Sequence, residues 1–204
     1  MLDLGTLQGE ARARLGEKRL SHVASVAETA RRIAEKGGWS AEVRDAVLRA
    51  AWIHDAWKEA DLAAWKRVIG SAGWEPDSWA LAHAPHLLHA DAAAAWARVE
   101  GEPDEAVVEA VRYHPTAHPE WGPLGRILFV ADFCEPMRDY ADALGTGAIL
   151  SRAAEGREGL EDAALRVLET RLAWMEEHGR PVHPRSRESW NAWRGEAPDV
   201  RGAR

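Results

Sequence analysis

Apolar residues recur at helical spacing along almost the whole 204-residue chain, and this periodicity limits the fold more than any other feature. In the segment 18–36, for example, Leu20, Val23, Ala27 and Ala34 all fall on one face of an α-helix. Strand-like alternation of β-branched residues is absent, while Ala, Leu, Glu and Arg are abundant. The sequence therefore predicts an all-α fold.

Turn-forming residues divide this pattern into separate helices. Gly37-Gly38 ends one helix, Ser40 can cap the next, and Pro123 suits the first position of a later one. We expect helices over 18–36, 41–54, 59–69, 89–99, 104–114, 124–135 and 158–178. No repeat or linker divides the chain, so we expect a single domain over 1–195, followed by a disordered tail over 196–204.

Composition limits the classes of function. The formal net charge of −7 leaves no broad basic surface for nucleic acid. Cys134 is the only cysteine, so the chain cannot form an intramolecular disulfide, which fits a reducing compartment. The N-terminal stretch lacks a signal-peptide core, and no apolar run approaches the roughly 18 residues of a membrane span. We expect a cytoplasmic protein that binds neither nucleic acid nor membranes. A homodimer is compatible with this composition, although no apolar stripe specifies one.

Six side chains with metal-ligating chemistry follow one another in the order His, His-Asp, His, His, Asp. They are His22, His54, Asp55, His89, His114 and Asp132. Imidazole and carboxylate ligands suit iron, manganese, zinc or nickel, and the lack of a thiolate pair argues against a structural zinc site. Six ligands, one of them a bridging carboxylate, are too many for one catalytic metal and fit two metals about 3.5–4 Å apart.

The positions of these residues strengthen that interpretation. Asp132 is the only polar side chain in the apolar segment 127–134, where an unpaired charge would cost several kcal/mol. His54 and His114 extend apolar stripes to the C-terminal ends of their helices, where several helix ends can converge. His22 is expected in the first turn of its helix. A single histidine on an apolar helical face is more often a packed, hydrogen-bonded core residue than a ligand, and it is the set that favours a metal site.

These residues lie in motifs that resemble the HD-domain superfamily of metal-dependent phosphohydrolases. Within it, the chain is similar to the bacterial YqeK-type family of symmetrical diadenosine-tetraphosphate hydrolases. The motifs are RLSHV at 19–23, IHDAWK at 53–58, LLH at 87–89, AVRYHPT at 110–116, ADFCEPMR at 131–138 and PVHPRSRESWNAW at 181–193. Their order and spacing together are specific, and they cover about residues 15–193.

The resemblance implies an all-α helical bundle with a metal site between helix ends. It implies that one metal is held by His22, His54, Asp55 and Asp132, and the second by His89, His114 and the bridging Asp55. Iron is the metal carried over from the family, and the residues do not separate iron from manganese. A hydroxide activated by both metals would cleave diadenosine tetraphosphate, a nucleotide polyphosphate, symmetrically into two ADP. Asp55 and Lys58 would be catalytic, and Arg19, Lys58, Thr116 and Arg138 would bind phosphate.

Two departures from the family pattern concern residues next to the expected ligands. Asp91 adds a charge beside His89, and the loop after His114 reads PTAHPE where the family usually has TTGRPG. His83 or His86 could also replace His89 as a ligand. Three alternative functions remain open: hydrolysis of nucleoside monophosphates or cyclic nucleotides, di-iron oxygen chemistry, and a metal-free nucleotide-binding regulatory module.

Overall fold

The computed structural model describes residues 2–195, and these residues form α-helices joined by turns, with no strand among them. The helices are α1 (Leu4–Arg14), α2 (Glu17–Lys36), α3 (Ala41–Ile53), α4 (Leu62–Ser71), α5 (Ser78–His83), α6 (Leu88–Val99), α7 (Glu105–Tyr113), α8 (Pro123–Cys134), α9 (Thr146–Ala153), α10 (Arg157–Glu177) and α11 (Pro184–Trp193). A short 3-10 helix, Pro85–Leu87, precedes α6. The all-α prediction is confirmed. The tail predicted over 196–204 lies outside the described residues.

The seven predicted helices correspond to α2, α3, α4, α6, α7, α8 and α10, and their ends agree within three residues. The largest difference is at α4, which begins at Leu62 because the Asp61 side chain accepts a hydrogen bond from the Ala64 amide, 2.7 Å away, and caps it there. α2 begins at Glu17, so His22 lies in its second turn and not in the first as expected. The helices α1, α5, α9 and α11 were not predicted. α5 and α9 have only six and eight residues, and α1 and α9 contain glycines that weaken the local helical signal.

The helix α8 is the centre of the molecule. Ten of its twelve residues are buried, among them Phe129 and Val130, which are fully inaccessible to solvent. It packs against α2, α3, α7, α9 and α10, while α6 packs between α4 and α7. The only charged side chain that this helix buries is that of Asp132, so the core itself places a carboxylate among the surrounding helix ends.

Four of the five remaining candidate ligands lie at those helix ends, and the fifth, His22, lies in the second turn of α2. His54 is the C-cap of α3, and Asp55 follows it directly. His114 is the C-cap of α7, and His89 is the second residue of α6. Side chains at helix ends can turn inward without breaking helical hydrogen bonds. The fold brings the ends of α3, α6 and α7, and with them these ligands, to one point beside α8. Within the described residues, no helix is long and apolar enough to cross a membrane.

Candidate metal centre

The side chains of the six predicted ligands converge on one buried cluster. His22 Nε2 lies 3.2 Å from Asp132 Oδ1, and His54 Nε2 lies 3.9 Å from the same oxygen. His89 Nε2 and His114 Nε2 are 3.3 Å apart. Two sets of three place their ligand atoms within 4.8 Å of one another, namely His22, His54 and Asp132, and His54, Asp55 and His114.

Asp55 lies between the two halves of the cluster. Its Oδ2 atom faces His22 and His54, at 3.7 and 3.8 Å from their Nε2 atoms. Its Oδ1 atom faces His89 and His114, at 3.1 and 3.7 Å. The two oxygens of this carboxylate therefore point at different groups of imidazoles, which is the arrangement that a bridging ligand needs.

Every imidazole of the cluster has its Nδ1 atom fixed by a hydrogen bond. His54, His89 and His114 donate from Nδ1 to the carbonyls of Ala51, His86 and Val111, at 2.7, 2.5 and 2.8 Å. His22 Nδ1 contacts the Glu135 carboxylate at 3.0 Å. A carbonyl only accepts, so Nδ1 carries the proton, and the Nε2 lone pairs are left to face one another. Metal-ligating histidines usually have their second nitrogen held in this way.

The polar atoms at the centre lack suitable partners within the described protein. His54 Nε2 and Asp55 Oδ1 are buried and make no hydrogen bond. His89 Nε2 lies 3.1 Å from Asp55 Oδ1 but cannot donate to it, because the proton of this imidazole is on Nδ1. His89 and His114 direct two Nε2 lone pairs at each other across 3.3 Å, and Lys58 Nζ lies 3.1 Å from the lone pair of His89. Buried groups without partners cost about 1–3 kcal/mol each. A cation bound by imidazole nitrogens and carboxylate oxygens would satisfy all of them, so these residues fit a divalent metal.

The protonation states also suit metal binding. Burial lowers the pKa of His114 well below its ordinary value, and the neighbouring His54 and His89 lower it further. Burial also lowers the pKa of His54. Burial alone would raise the pKa of Asp55, but the nearby His54, His89 and Lys58 outweigh it and hold that pKa well below the usual range. Neutral imidazoles and an ionised carboxylate are the forms that ligate metals.

Three cationic side chains surround the cluster on its solvent side. Arg19 Nη1 donates to Asp55 Oδ2 at 2.8 Å, and Arg138 Nη2 donates to Asp132 Oδ1 at 2.5 Å. Lys58 Nζ lies 3.1 Å from His89 Nε2. These three side chains are 27–30% exposed, whereas that of Asp55 is 4% exposed. The site therefore has an anionic and imidazole floor beneath a cationic rim.

Thr116, predicted to bind phosphate, makes its hydrogen bonds within its own turn. Its hydroxyl donates to the carbonyls of Tyr113 and Ala117, at 3.3 and 3.2 Å. The residue is 5% exposed.

Neighbouring histidines and Asp91 have other surroundings. His89 enters the cluster, whereas His86 contributes its backbone carbonyl to the His89 ring and the His83 ring lies 5.0 Å from that of Trp79. Asp91 accepts a hydrogen bond from Arg112 Nε at 2.9 Å. The Asp91 carboxylate, which departs from the family pattern, is therefore paired with Arg112 and directed away from the candidate ligands.

Sequence reasoning missed Glu135, which contacts His22. Glu135 is 1% exposed, and its Oε2 atom accepts from the Met137 amide at 2.8 Å. Its position three residues after Asp132, at the end of the most apolar helix, was the available signal. An acidic side chain there needs a polar partner once it is buried.

Three comparisons with known proteins bear on this site. The model of the HD domain family matches residues 19–137. A relative from Halalkalibacterium halodurans is 30% identical over 178 residues, which are 87% of this chain and 89% of the relative. A relative from Bacillus subtilis is 29% identical over 171 residues, 83% of this chain and 86% of the relative. Both are named symmetrical bis(5'-nucleosyl)-tetraphosphatase.

The fold has a solved counterpart. A crystal structure from Clostridium acetobutylicum, described as a predicted HD superfamily hydrolase involved in NAD metabolism, superposes with a TM-score of 0.82 at 26% identity. The alignment covers 96% of this chain and 98% of that one. All six candidate ligands fall within the interval that the family model matches, and this chain belongs to the HD domain family of metal-dependent phosphohydrolases.

Proposed function

We propose that this protein hydrolyses diadenosine tetraphosphate symmetrically to two ADP, with two divalent metal ions held by the six clustered ligands. The observation that carries the proposal is the buried set of imidazole nitrogens and carboxylate oxygens beneath three cationic side chains. Metal ligands below and cations above suit a polyanionic phosphate chain. The name shared by the relatives supports diadenosine tetraphosphate as the substrate.

The directions of the side chains support a particular division of the ligands. His22, His54 and Asp132 would hold one ion, and His89 and His114 the other. Asp55 would bridge them, since its two oxygens face the two groups. Iron is the metal we expect, and manganese suits the same donor atoms. Divalent metals there would supply an activated water and withdraw charge from the phosphoryl oxygens.

The cationic side chains would bind and orient the polyphosphate. Lys58 follows the His-Asp pair by one helical turn, and its ammonium group lies within 4 Å of both His89 and Asp55. Arg19 and Arg138 approach from other elements and are held by Asp55 and Asp132. Fixed positive groups aimed at phosphoryl oxygens stabilise the charge that develops during transfer. Thr116 as a further phosphate contact remains a prediction.

The reaction forms one bond and breaks one. The oxygen of water bonds to an inner phosphorus, and the bond from that phosphorus to the central bridging oxygen breaks. One ADP leaves with the bridging oxygen, and the other carries the oxygen from water. Symmetrical products therefore require attack beside the centre of the four-phosphate chain, which depends on how the rim positions the substrate.

Product analysis tests the proposal. Protein purified anaerobically and loaded with iron is incubated with diadenosine tetraphosphate in ¹⁸O-water, and the products are separated by ion exchange. We expect ADP as the sole product, with one labelled oxygen for every two ADP. ATP plus AMP would contradict symmetrical cleavage. An absence of turnover in protein with two bound metals would exclude this substrate and direct the search to nucleoside monophosphates and cyclic nucleotides.

Matched variants test the assigned residues. His54→Ala and Asp55→Ala should lose more activity than the roughly 10- to 100-fold typical of an outer partner, because each removes a ligand at the centre of the cluster. His178→Ala is the control, since His178 is exposed and stacks on Trp174 away from the cluster. Full activity in either ligand variant would overturn the assignment.

A further inference from the structure

The loop 115–122, which begins directly after His114, is held by side chains from the last two helices. Three of these side chains donate to backbone carbonyls of the loop. The bonds run from Arg171 Nη2 to Pro115 (2.7 Å), from Ser186 Oγ to Thr116 (2.8 Å) and from Trp193 Nε1 to Pro119 (3.2 Å). The donors belong to α10 and α11 and lie 56 to 74 residues from their acceptors along the chain. They form a tertiary support for an irregular segment.

The loop needs such support because its own conformation is unfavourable. Ala117 has a positive φ of 64°, a backbone region that residues other than glycine rarely adopt. It is fully buried, and its amide donates to the Tyr113 carbonyl at 2.8 Å. A residue in such a conformation persists only where the surrounding structure holds it. The hydrogen bonds from α10 and α11 provide that restraint on both sides of Ala117.

The same helices also contact the residue before His114. The Arg185 guanidinium of α11 lies 4.3 Å from the centre of the Tyr113 ring, and this ring stacks with that of His118 at 4.9 Å. The C-terminal helices therefore contact the side chain of the residue before His114 and the backbone of the loop after it. The ring of His114 is then aimed by its hydrogen bond to Val111.

We propose that Arg171, Ser186 and Trp193 form a C-terminal clamp that positions His114 for metal binding. This rests on the proposed role of His114 as a metal ligand. The clamp lies outside residues 19–137, the part of the chain that the HD domain model matches. Its members act through the loop and not on the substrate, so they are positioning residues. The C-terminal third thus serves the site without contributing a ligand.

Ser186→Ala offers the cleanest test, because it removes one donor and little volume. Ser189→Ala is the matched control: Ser189 is also a buried serine of α11, but its hydroxyl donates to the Arg185 carbonyl within its own helix. Ser186→Thr retains the hydroxyl and should therefore keep the Mn²⁺ affinity that Ser186→Ala loses. Combining Ser186→Ala with Arg171→Met removes two of the three bonds. Trp193 is left unchanged because its ring packs on Trp121 and Phe129.

Two readouts that need no substrate are measured on the full chain. One is Mn²⁺ binding by titration calorimetry, and the other is the His114 ring resonance of the metal-free protein, assigned with His114→Gln. In Ser186→Ala we expect about tenfold weaker binding of one of the two ions, the lower end of the range for outer partners of metal ligands. The double variant should bind that ion more weakly still. The His114 resonance should shift in both, whereas Ser189→Ala should match the parent protein.

The outcomes separate the clamp from the ligand assignment. Unchanged metal affinity and an unchanged His114 resonance in the double variant would overturn the clamp. So would equal effects of Ser186→Ala and Ser189→Ala, which would reduce the role of Ser186 to general packing of α11. If His114→Gln itself still binds both ions with full affinity, the proposed ligand role fails instead.

Discussion

The contact between Glu135 and His22 decides how one candidate ligand is oriented. A carboxylate 3.0 Å from Nδ1 keeps the proton on that nitrogen and leaves Nε2 free toward Asp132. It also makes the imidazole a stronger donor to a metal. Arg138 lies 3.6 Å from the same carboxylate, so the charge of Glu135 is compensated in the metal-free protein.

Glu135→Gln should lower Mn²⁺ affinity about 10- to 100-fold, the range for losing an outer partner of a ligating histidine. The substitution conserves volume, so the folded structure should be retained. Mn²⁺ titration calorimetry measures the effect, and Glu177→Gln, which changes an exposed glutamate of α10, is the control. An affinity equal to that of the parent protein would show that Glu135 does not orient His22 for metal binding.

The buried imidazoles make the stability of the metal-free protein depend on pH. Burial lowers the pKa of His54 and of His114 in the folded state, whereas the unfolded chain binds a proton near pH 6.5. Above pH 6.5 both imidazoles are neutral in the folded and in the unfolded state, and the full stability is present. As the pH falls below 6.5 toward the folded-state pKa values, only the unfolded chain binds these protons, so the folded state loses stability.

The free energy of unfolding should therefore decrease between pH 7.5 and pH 5.5, by up to about 1.4 kcal/mol per pH unit for each group that titrates. Urea unfolding of chelator-treated protein at several pH values measures this slope. A stability that stays constant or rises on acidification would contradict the assignment of His54 and His114 as neutral groups.

At the scale of elements, the packing of α8 depends on a glycine. A Cβ atom added at Gly125 would lie 2.5 Å from the Trp121 ring, which is itself buried against Phe129 and Trp193. The indole cannot move away without displacing core residues. The Trp121 ring therefore packs directly on the α8 backbone at Gly125. This contact fixes the segment that leads into α8, the helix that carries Asp132.

Gly125→Ala should destabilise the protein by about 1–3 kcal/mol, the usual cost of overpacking, despite the better helix propensity of alanine. Gly9→Ala is the matched control, because Gly9 lies within α1, is exposed and has no atom within 4 Å of the added Cβ. In Gly9→Ala the better helix propensity of alanine should stabilise the protein by up to about 1 kcal/mol, with no overpacking to oppose it. Denaturant unfolding of both variants measures the difference, and a stabilised Gly125→Ala protein would refute the packing argument.

At the scale of the whole molecule, metal binding should stabilise the fold as well as support activity. The candidate ligands come from α2, α3, α6, α7 and α8 and the turn after α3, so two ions bound among them would together tie five helices to one another. The unfolded chain cannot present these groups at one point. Binding energy is therefore largely folding energy for such a site.

Mn²⁺ at about 100 times its dissociation constant should add about 2.7 kcal/mol of stability for each bound ion, which corresponds to a rise in Tm of roughly 5–10 °C per ion for a domain of this size. Thermal melting with and without Mn²⁺ measures the shift, and a chelator should reverse it. His54→Ala should show a much smaller rise. A Tm independent of Mn²⁺ in the parent protein would count against a structural coupling between site and fold.

The sequence by itself determined the helical class, seven of the helices and the six residues that meet in the cluster. Helical periodicity and capping act over a few residues, so they can be read along the chain. The isolated carboxylate of Asp132 could also be recognised locally, since a single charge in an apolar helix demands a partner. The order and spacing of the motifs, through their resemblance to the HD-domain superfamily, then indicated which histidines belong together.

Only the tertiary structure decided how those residues are oriented. Glu135 meets His22 across 113 residues, and Ser186 meets the loop after His114 across 70. The opposite directions of the two Asp55 oxygens likewise follow from the packing of several helices. Such contacts depend on distances of a few ångströms between segments far apart in the chain, and no local pattern of residues encodes them.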